Sequence, residues 1–157
     1  MLLRVLCVIG VLFWAVSVDG ATSRHLWPVC SDAPPSGFGY RTDPFNGRRV
    51  FHSGLDFAVE QGVPVRASLG GRVIAAGRRG PYGKMVEIDH GGAERTRYAH
   101  LSAWAVMEGD RVTQGQTIGW SGQTGRAEKP LLHFELWRGE TQRDPRKALD
   151  PSPRCGG

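Results

Sequence analysis

Residues 52–56 read HSGLD, which places an imidazole and a carboxylate four positions apart. Positions i and i+4 lie on the same side of a strand and on one face of a helix, so either geometry would let His52 and Asp56 reach one metal ion. A histidine and an aspartate at this spacing also occur by chance. The pair alone is therefore weak evidence, and other residues must decide whether it binds a metal.

The five histidines of the chain lie in different sequence contexts. His25 lies in a polar, Pro-rich segment and is expected to be solvated. His90 ends a strand-like run at a glycine turn, where an imidazole commonly bonds to backbone groups. The other three, His52, His100 and His133, lie in the strand-like runs FHSGLDF, RYAHLS and LLHFELW.

Burying three imidazoles and a carboxylate in one small domain is costly unless they bond to one another or to an ion. Three protein ligands and an open position for water are the usual design of a catalytic zinc site, and two histidines with a carboxylate suit that metal. These residue types are those of a zinc site, and hydrogen bonds among the four side chains are the alternative.

The pattern around these residues predicts an all-β fold. The chain has 157 residues, 40% of them hydrophobic, which is enough for one modest core and one domain. Short runs rich in β-branched residues alternate with period two and are separated by glycine turns: VPVRAS, GRVIAAG, KMVEIDH, ERTRYAHL, DRVTQGQTIGWSG and LLHFELW. This is typical of antiparallel strands, and we expect few or no helices because no long 3.6-residue periodicity is present.

Four segments are predicted along the chain. Residues 1–20 read as a secretory signal peptide, residues 21–36 as an extended lead-in, residues 37–150 as the ordered β domain and residues 151–157 as a C-terminal tail. The apolar run of the first segment is shorter than the roughly 20 residues needed to span a bilayer, so cleavage is favoured over the alternative of a membrane anchor. We therefore expect an exported protein, periplasmic or extracellular.

Three cysteines are present, and Cys7 falls within the predicted leader. Cys30 and Cys155, near the two ends of the remaining chain, are candidates for a disulfide because oxidising compartments let such a bond persist. Two unpaired thiols are the alternative.

The net charge of +5 and the pI near 9.6 favour contact with anionic polymers. Outside the cytoplasm, these are carboxylates and phosphates of a cell wall or surface. No aromatic-and-basic nucleic-acid motif is present, so no nucleic-acid partner is expected. The alternative is that scattered arginines only keep the surface soluble.

The segment VMEGDRVTQGQTIGWSG has tight turns between short strands, a rhythm that resembles the hairpins of biotinyl and lipoyl carrier domains. Such domains present a modifiable lysine between two methionines. The nearest candidate is Lys84, which Met85 follows, but the first methionine is absent. A carrier would also be unusual in an exported chain, so this alternative is disfavoured.

An ordered series of segments carries a family resemblance: GFGYRTDPFNG, FHSGLDFA, GVPVRASLGGRVIAAG, YGKMVEIDHG, RYAHLS, GDRVTQGQTIGWSGQTG and LLHFEL. This series resembles the lysostaphin- and LytM-type zinc metallopeptidases, which cut peptidoglycan cross-bridges and stems. The resemblance covers residues 37–137. It implies a compact antiparallel β-sandwich or barrel of the duplicated hybrid motif type. It also implies that His52, Asp56 and His133 bind Zn²⁺ and that His100 helps to orient and activate the water.

One position departs from that family. The family ends its metal site with His-x-His, whose first histidine stabilises the transition state, whereas this chain has Leu131 there and keeps the ligand at His133. Leucine cannot donate a hydrogen bond, and losing one such donor typically costs about 2.7–4 kcal/mol. The expected function is a zinc metalloendopeptidase weakened at this step, unless His90, Glu128 or Lys129 substitutes. The alternative is a zinc-retaining, non-catalytic module that binds peptidoglycan or activates a hydrolase.

Three further residues are candidates for the substrate groove. Tyr40 and Tyr98 would supply hydroxyl donors or simply pack. Arg41 lies in the GYRTDP segment, which resembles the strand of the family along the substrate groove, although a structural pair with Asp43 is an equal alternative.

Overall fold

The structure, a computed structural model, describes residues 24–31, 33–43 and 46–151. The predicted signal peptide and Cys155 lie outside these residues. Cys30 is exposed, and its pairing with Cys155 stays a prediction. Among the described residues, no helix has the length and hydropathy needed to cross a membrane.

Antiparallel strands dominate this part of the chain, and the only helices in it are two short 3₁₀ turns. The strands are β1 (Gly39–Thr42), β2 (Arg49–His52), β3 (Leu55–Ala58), β4 (Pro64–Arg66), β5 (Gly71–Arg78), β6 (Lys84–Gly91), β7 (Glu94–Leu101), β8 (Ala103–Trp104), β9 (Arg111–Val112), β10 (Thr117–Trp120), β11 (Leu131–Arg138) and β12 (Thr141–Arg143). The 3₁₀ turns are Gly80–Tyr82 and Pro145–Lys147. The predicted fold class is confirmed.

One large sheet contains β3, β7 and β11, the strands of Asp56, His100 and His133. Its strands follow the order β12-β11-β7-β6-β5-β9, and β3 pairs with β11 on the same edge as β12. A smaller sheet has the order β4-β10-β8, and β1 and β2 form a separate two-stranded ribbon. Strand β11 is thus paired on both edges, which fixes its side chains more firmly than an edge strand would.

The alternation along β11 separates the core from the site. Leu132 and Phe134 are buried in the hydrophobic core with Leu55 and Phe57 of β3. Because side chains alternate across a strand, His133 points to the opposite face. The same strand therefore anchors the sheet and presents a polar residue away from the core.

The lead-in packs on the domain more closely than the sequence indicates. Val29 belongs to the core and is 2% exposed, and His25 is bridged to Leu149 near the end of the described chain. The expectation that His25 is solvated is wrong: its Nε2 lies 2.8 Å from Oε1 of Glu94 and its Nδ1 lies 2.9 Å from the hydroxyl of Ser68. These partners satisfy an imidazole that burial would otherwise penalise.

Replacing Val29 with alanine should lower the free energy of unfolding by about 1–2 kcal/mol, because buried methyl groups are lost and a small cavity is left. Leu26→Ala, in the same segment but at a side chain 39% exposed, is the matched control and should cost clearly less. Urea unfolding followed by tryptophan fluorescence measures both. A negligible loss in both variants would contradict the packing of this segment.

Candidate metal centre

Three side chains from three strands converge on one point. His52 ends β2, Asp56 lies in β3, and His133 lies directly opposite Asp56 in the pairing of β3 with β11. Nε2 of His52 lies 3.2 Å from Nδ1 of His133 and 3.1 Å from Oδ1 of Asp56, and these last two atoms are 2.7 Å apart. The structure therefore brings together all three predicted ligands.

The glycine of HSGLD allows this approach. A Cβ atom on Gly54 would lie 2.2 Å from the carbonyl oxygen of Phe134, so any larger residue would push the β2–β3 turn away from β11. The turn carries His52 on one side and Asp56 on the other. Gly54 thus allows both residues to lie against His133.

Hydrogen bonds on the far side of each imidazole set its tautomer. Nδ1–H of His52 donates to the carbonyl oxygen of Gly37 at 2.8 Å, and Nε2–H of His133 donates to Oε1 of Glu135 at 3.1 Å. Each ring then directs its other nitrogen, with a lone pair, toward the shared point. Ligand histidines of metal sites are oriented in this way.

Glu135 is a functional residue that the sequence reasoning missed. Its side chain is fully buried and accepts hydrogen bonds from the hydroxyl of Tyr82 at 3.0 Å, from Nε1 of Trp137 at 2.7 Å, from Nη1 of Arg97 at 3.1 Å and from the hydroxyl of Ser53. The signal was present in the sequence, because a glutamate two residues after His133 on a strand must share its face.

The electrostatics of the cluster favour a cation. Burial opposes the ionisation of Asp56, but hydrogen bonds from His133 and His52 outweigh it and hold its pKa well below the usual range. Burial likewise disfavours a charged His133, but Asp56 and Glu135 outweigh it and raise the pKa of His133 to about 9. Three lone pairs only 2.7–3.2 Å apart would repel one another. A proton or a metal ion at this point relieves that repulsion.

The donor set fits zinc. Two imidazole nitrogens and one carboxylate oxygen form a three-ligand set of the catalytic type, and each histidine has the outer hydrogen bond that such sites use. The cluster also lies in the wall of a pocket of about 680 Å³, from which a substrate can reach it. An open position toward the pocket is what separates a catalytic from a structural site.

His100 lies beside the cluster and outside it. Its ring centroid is 5.9 Å from that of His133, and its Nδ1–H donates to the carbonyl oxygen of Thr124 at 2.7 Å. In the neutral ring this leaves Nε2 as an acceptor. Burial lowers the pKa of His100, which favours the neutral form. His100 also adopts φ = 62°, a left-handed conformation that is uncommon outside glycine and that local contacts must maintain.

The other predicted residues have different placements. Arg41 lines the pocket, and its Nη2 lies 2.9 Å from Oδ2 of Asp56, the oxygen that faces away from the histidines. Tyr40 is 69% exposed and lies outside the pocket lining. The prediction of Tyr98 as a groove residue is wrong: Tyr98 is fully buried in the core, and its hydroxyl bonds to Ser68 and Thr96.

Leu131 and its possible substitutes can also be placed. Leu131 begins β11, pairs with Ala58 and lines the pocket, so it adds an apolar surface there. Glu128 and Lys129 line the same pocket. His90 instead bonds to the carbonyl of Gly70 and the hydroxyl of Thr96, which agrees with a structural role and removes it as a substitute. Lys84 donates to the carbonyl of Ser102 at 2.6 Å, so it is not presented at a hairpin tip as a carrier lysine would be.

An all-β domain with a His, Asp, His cluster in a pocket wall has the architecture of a mononuclear metal hydrolase. The sequence profile of peptidase family M23 matches residues 50–145, and the chain belongs to that family. The predicted resemblance to lysostaphin-type peptidases is therefore confirmed.

Individual relatives agree with this assignment. The chain is 43% identical over 111 residues to the peptidoglycan DD-endopeptidase ShyA of Vibrio cholerae, a match that covers 70% of this chain and 25% of ShyA. Its fold matches that of a zinc-containing peptidase from Vibrio cholerae with a TM-score of 0.73 at 35% identity, over 80% of this chain and 40% of the other. The catalytic domain of lysostaphin from Staphylococcus simulans matches with a TM-score of 0.63 at 36% identity, over 71% of this chain and 87% of that domain. The chain spans about a quarter of the length of the curated relatives it matches.

The affinity of the metal-free protein for zinc should rise about tenfold per pH unit between pH 7 and 8.5, because zinc must displace one proton from His133 whose pKa is raised to about 9. Competition with a chromophoric chelator, corrected for the protonation of the chelator, measures this slope. Glu135→Gln is the control: it removes one of the two carboxylates that raise the pKa of His133, and the slope should become shallower. A zinc affinity of the wild type that does not change with pH would contradict the assignment of His133 as a zinc ligand.

A second prediction concerns the loop contact that positions His100. Gly83 has φ = +65°, and a Cβ there would lie 2.4 Å from the carbonyl carbon of Thr124. The oxygen of this carbonyl accepts the hydrogen bond from His100. Gly83→Ala should therefore destabilise the protein by about 2–4 kcal/mol. Gly77→Ala, in β5 with no atom within 4 Å of the added Cβ, should be neutral or slightly stabilising. Equal urea midpoints for the two variants would show that the loop contact is not required.

Proposed function

We propose that this chain is an exported zinc metalloendopeptidase domain that hydrolyses peptide bonds in peptidoglycan cross-links or stems. The observation that carries the proposal is the convergence of Nε2 of His52, Oδ1 of Asp56 and Nδ1 of His133 in the wall of one pocket. The family and the names of the relatives support the reaction and the substrate class. Peptidoglycan lies outside the cytoplasm, which agrees with the signal peptide expected at residues 1–20.

The three convergent atoms would hold the zinc ion. When bound, zinc polarises a scissile carbonyl and lowers the pKa of water toward about 7. Arg41 neutralises Oδ2 of Asp56, so that Oδ1 alone faces the histidines. Glu135 holds His133 in the tautomer that directs Nδ1 to the centre.

Proton transfer is assigned to His100. Its Nδ1–H is fixed by the carbonyl of Thr124, which leaves Nε2 to take up a proton and pass it to the leaving amine. A buried imidazole with a lowered pKa is unprotonated at neutral pH, as a general base must be. A positioned acid–base group of this kind contributes roughly 10²–10⁴ in rate.

Leu131 limits the expected rate. It lies in the pocket wall on the strand of His133, and its side chain has no N–H or O–H group that could donate to a developing oxyanion. One missing donor corresponds to a rate lower by about 10²–10³. The same feature supports a second candidate function, a zinc-retaining, non-catalytic module that binds peptidoglycan or activates a hydrolase, because the ligands do not depend on residue 131.

Incubation of purified sacculi, and of soluble cross-linked muropeptides, with the zinc-loaded protein tests the proposal. The wild type should release new peptide termini slowly, Leu131→His should release them about 10²-fold faster, and His133→Ala should bind little zinc and release none. Mass spectrometry of the products identifies the bond.

The outcomes separate the two functions. If the wild type is inert and Leu131→His cleaves, the non-catalytic module is the correct function. If the wild type and Leu131→His are both inert while they hold zinc, the endopeptidase proposal is wrong for this chain.

A further inference from the structure

An exposed aromatic cluster lies on the ribbon next to the metal centre. Phe51 packs edge to face against Phe38, with ring centroids 5.0 Å apart, and against Tyr40, with centroids 5.3 Å apart. The side chains of Tyr40 and Phe51 remain 69% and 47% exposed. We call the surface formed by Phe38, Tyr40 and Phe51 the aromatic face.

The ribbon separates this face from the metal ligands. Gly39 pairs with His52 and Tyr40 pairs with Phe51, so the alternation of side chains puts His52 on one side and the Tyr40–Phe51 pair on the other. Phe51 also lines the pocket, so the aromatic face is continuous with the proposed active site. A ligand that fills the pocket can extend directly onto it.

One basic side chain belongs to the aromatic face. The guanidinium of Arg49 lies over the ring of Tyr40, 4.7 Å from its centroid, and brings its N–H donors to this surface. Cross-strand aromatic pairs do stabilise a ribbon, by about 0.5–1.5 kcal/mol, but this does not require the rings to stay open to solvent beside a cation.

We propose that the aromatic face is a subsite for the glycan strand of peptidoglycan, an inference that rests on the proposed function. Sugar rings present C–H groups that pack on the face of an aromatic ring, and their hydroxyl oxygens accept hydrogen bonds from an arginine such as Arg49.

The length of a stem peptide agrees with a ligand that occupies both the pocket and the aromatic face. A stem peptide in extended form spans about 3.3–3.6 Å per residue, so a sugar two to four residues from the cleaved bond lies roughly 7–14 Å from it. The four-residue strands of the ribbon are about 13 Å long. The aromatic face starts at Phe51, the residue directly before His52, and is therefore within reach of the sugar.

Binding of peptide-free glycan strands, prepared by amidase digestion of sacculi, tests the subsite without any cleavage. Isothermal titration of the zinc-loaded wild type should detect binding, which Tyr40→Leu should weaken about tenfold and Tyr40→Phe should retain. Trp104→Ala, at a side chain 37% exposed on a different sheet, is the control and should bind as the wild type does. The zinc content of each variant reports whether the ribbon is intact, because His52 lies in it.

A second measurement links the subsite to the reaction. The ratio of the cleavage rate on sacculi to that on glycan-free cross-linked peptides should fall in Tyr40→Leu relative to the wild type. Glycan strands that do not bind, or that bind Tyr40→Leu and the wild type equally, overturn the subsite whatever the activity. Glycan binding by a wild type that cleaves neither substrate would instead support the subsite and contradict the peptidase.

Discussion

The pairing of β3 with β11 is the constraint on which the metal centre depends. It sets Asp56 directly opposite His133, and the same four pairs bury Leu55 and Phe57 against the core. A shift of one residue in this register would turn the ligands into the core and the apolar residues into the pocket. The hydrophobic effect therefore selects the register, and the alignment of the ligands follows from it.

This arrangement buries the carboxylate of Glu135 completely, which costs desolvation free energy. Glu135 would be strongly unfavourable alone, but Arg97 supplies a counter-charge and four further donors satisfy its oxygens. Arg97 is shared with Glu87 of β6, so the support of His133 extends across three strands of the large sheet. A change on β6 can thus reach a metal ligand that it does not touch.

Physical signals in the sequence predicted the strands and indicated the candidate polar residues, and the family resemblance then selected His52, Asp56 and His133 as the ligands. Period-two alternation and glycine turns are local signals, and polar residues in apolar strands, such as His133, are costly enough to indicate a function. The long-range contacts carried no such signal. Tyr98 lies in the core because Ser68 and Thr96 satisfy its hydroxyl, and His25 is buried because Glu94, 69 residues away, accepts a hydrogen bond from its Nε2. Neither partner can be identified from the residues next to the tyrosine or the histidine.

Metal binding and turnover depend on different parts of this site, which explains how Leu131 can be accommodated. The negative charge that attracts a cation comes from Asp56 and Glu135, and neither is bonded to residue 131. Leu131 pairs through its backbone with Ala58, a contact that any residue able to form a strand can make. The substitution therefore leaves the register and the ligands in place and removes only a donor that would act on the reacting group. A site built in this way retains its metal and its substrate pocket while the rate of the chemical step changes independently.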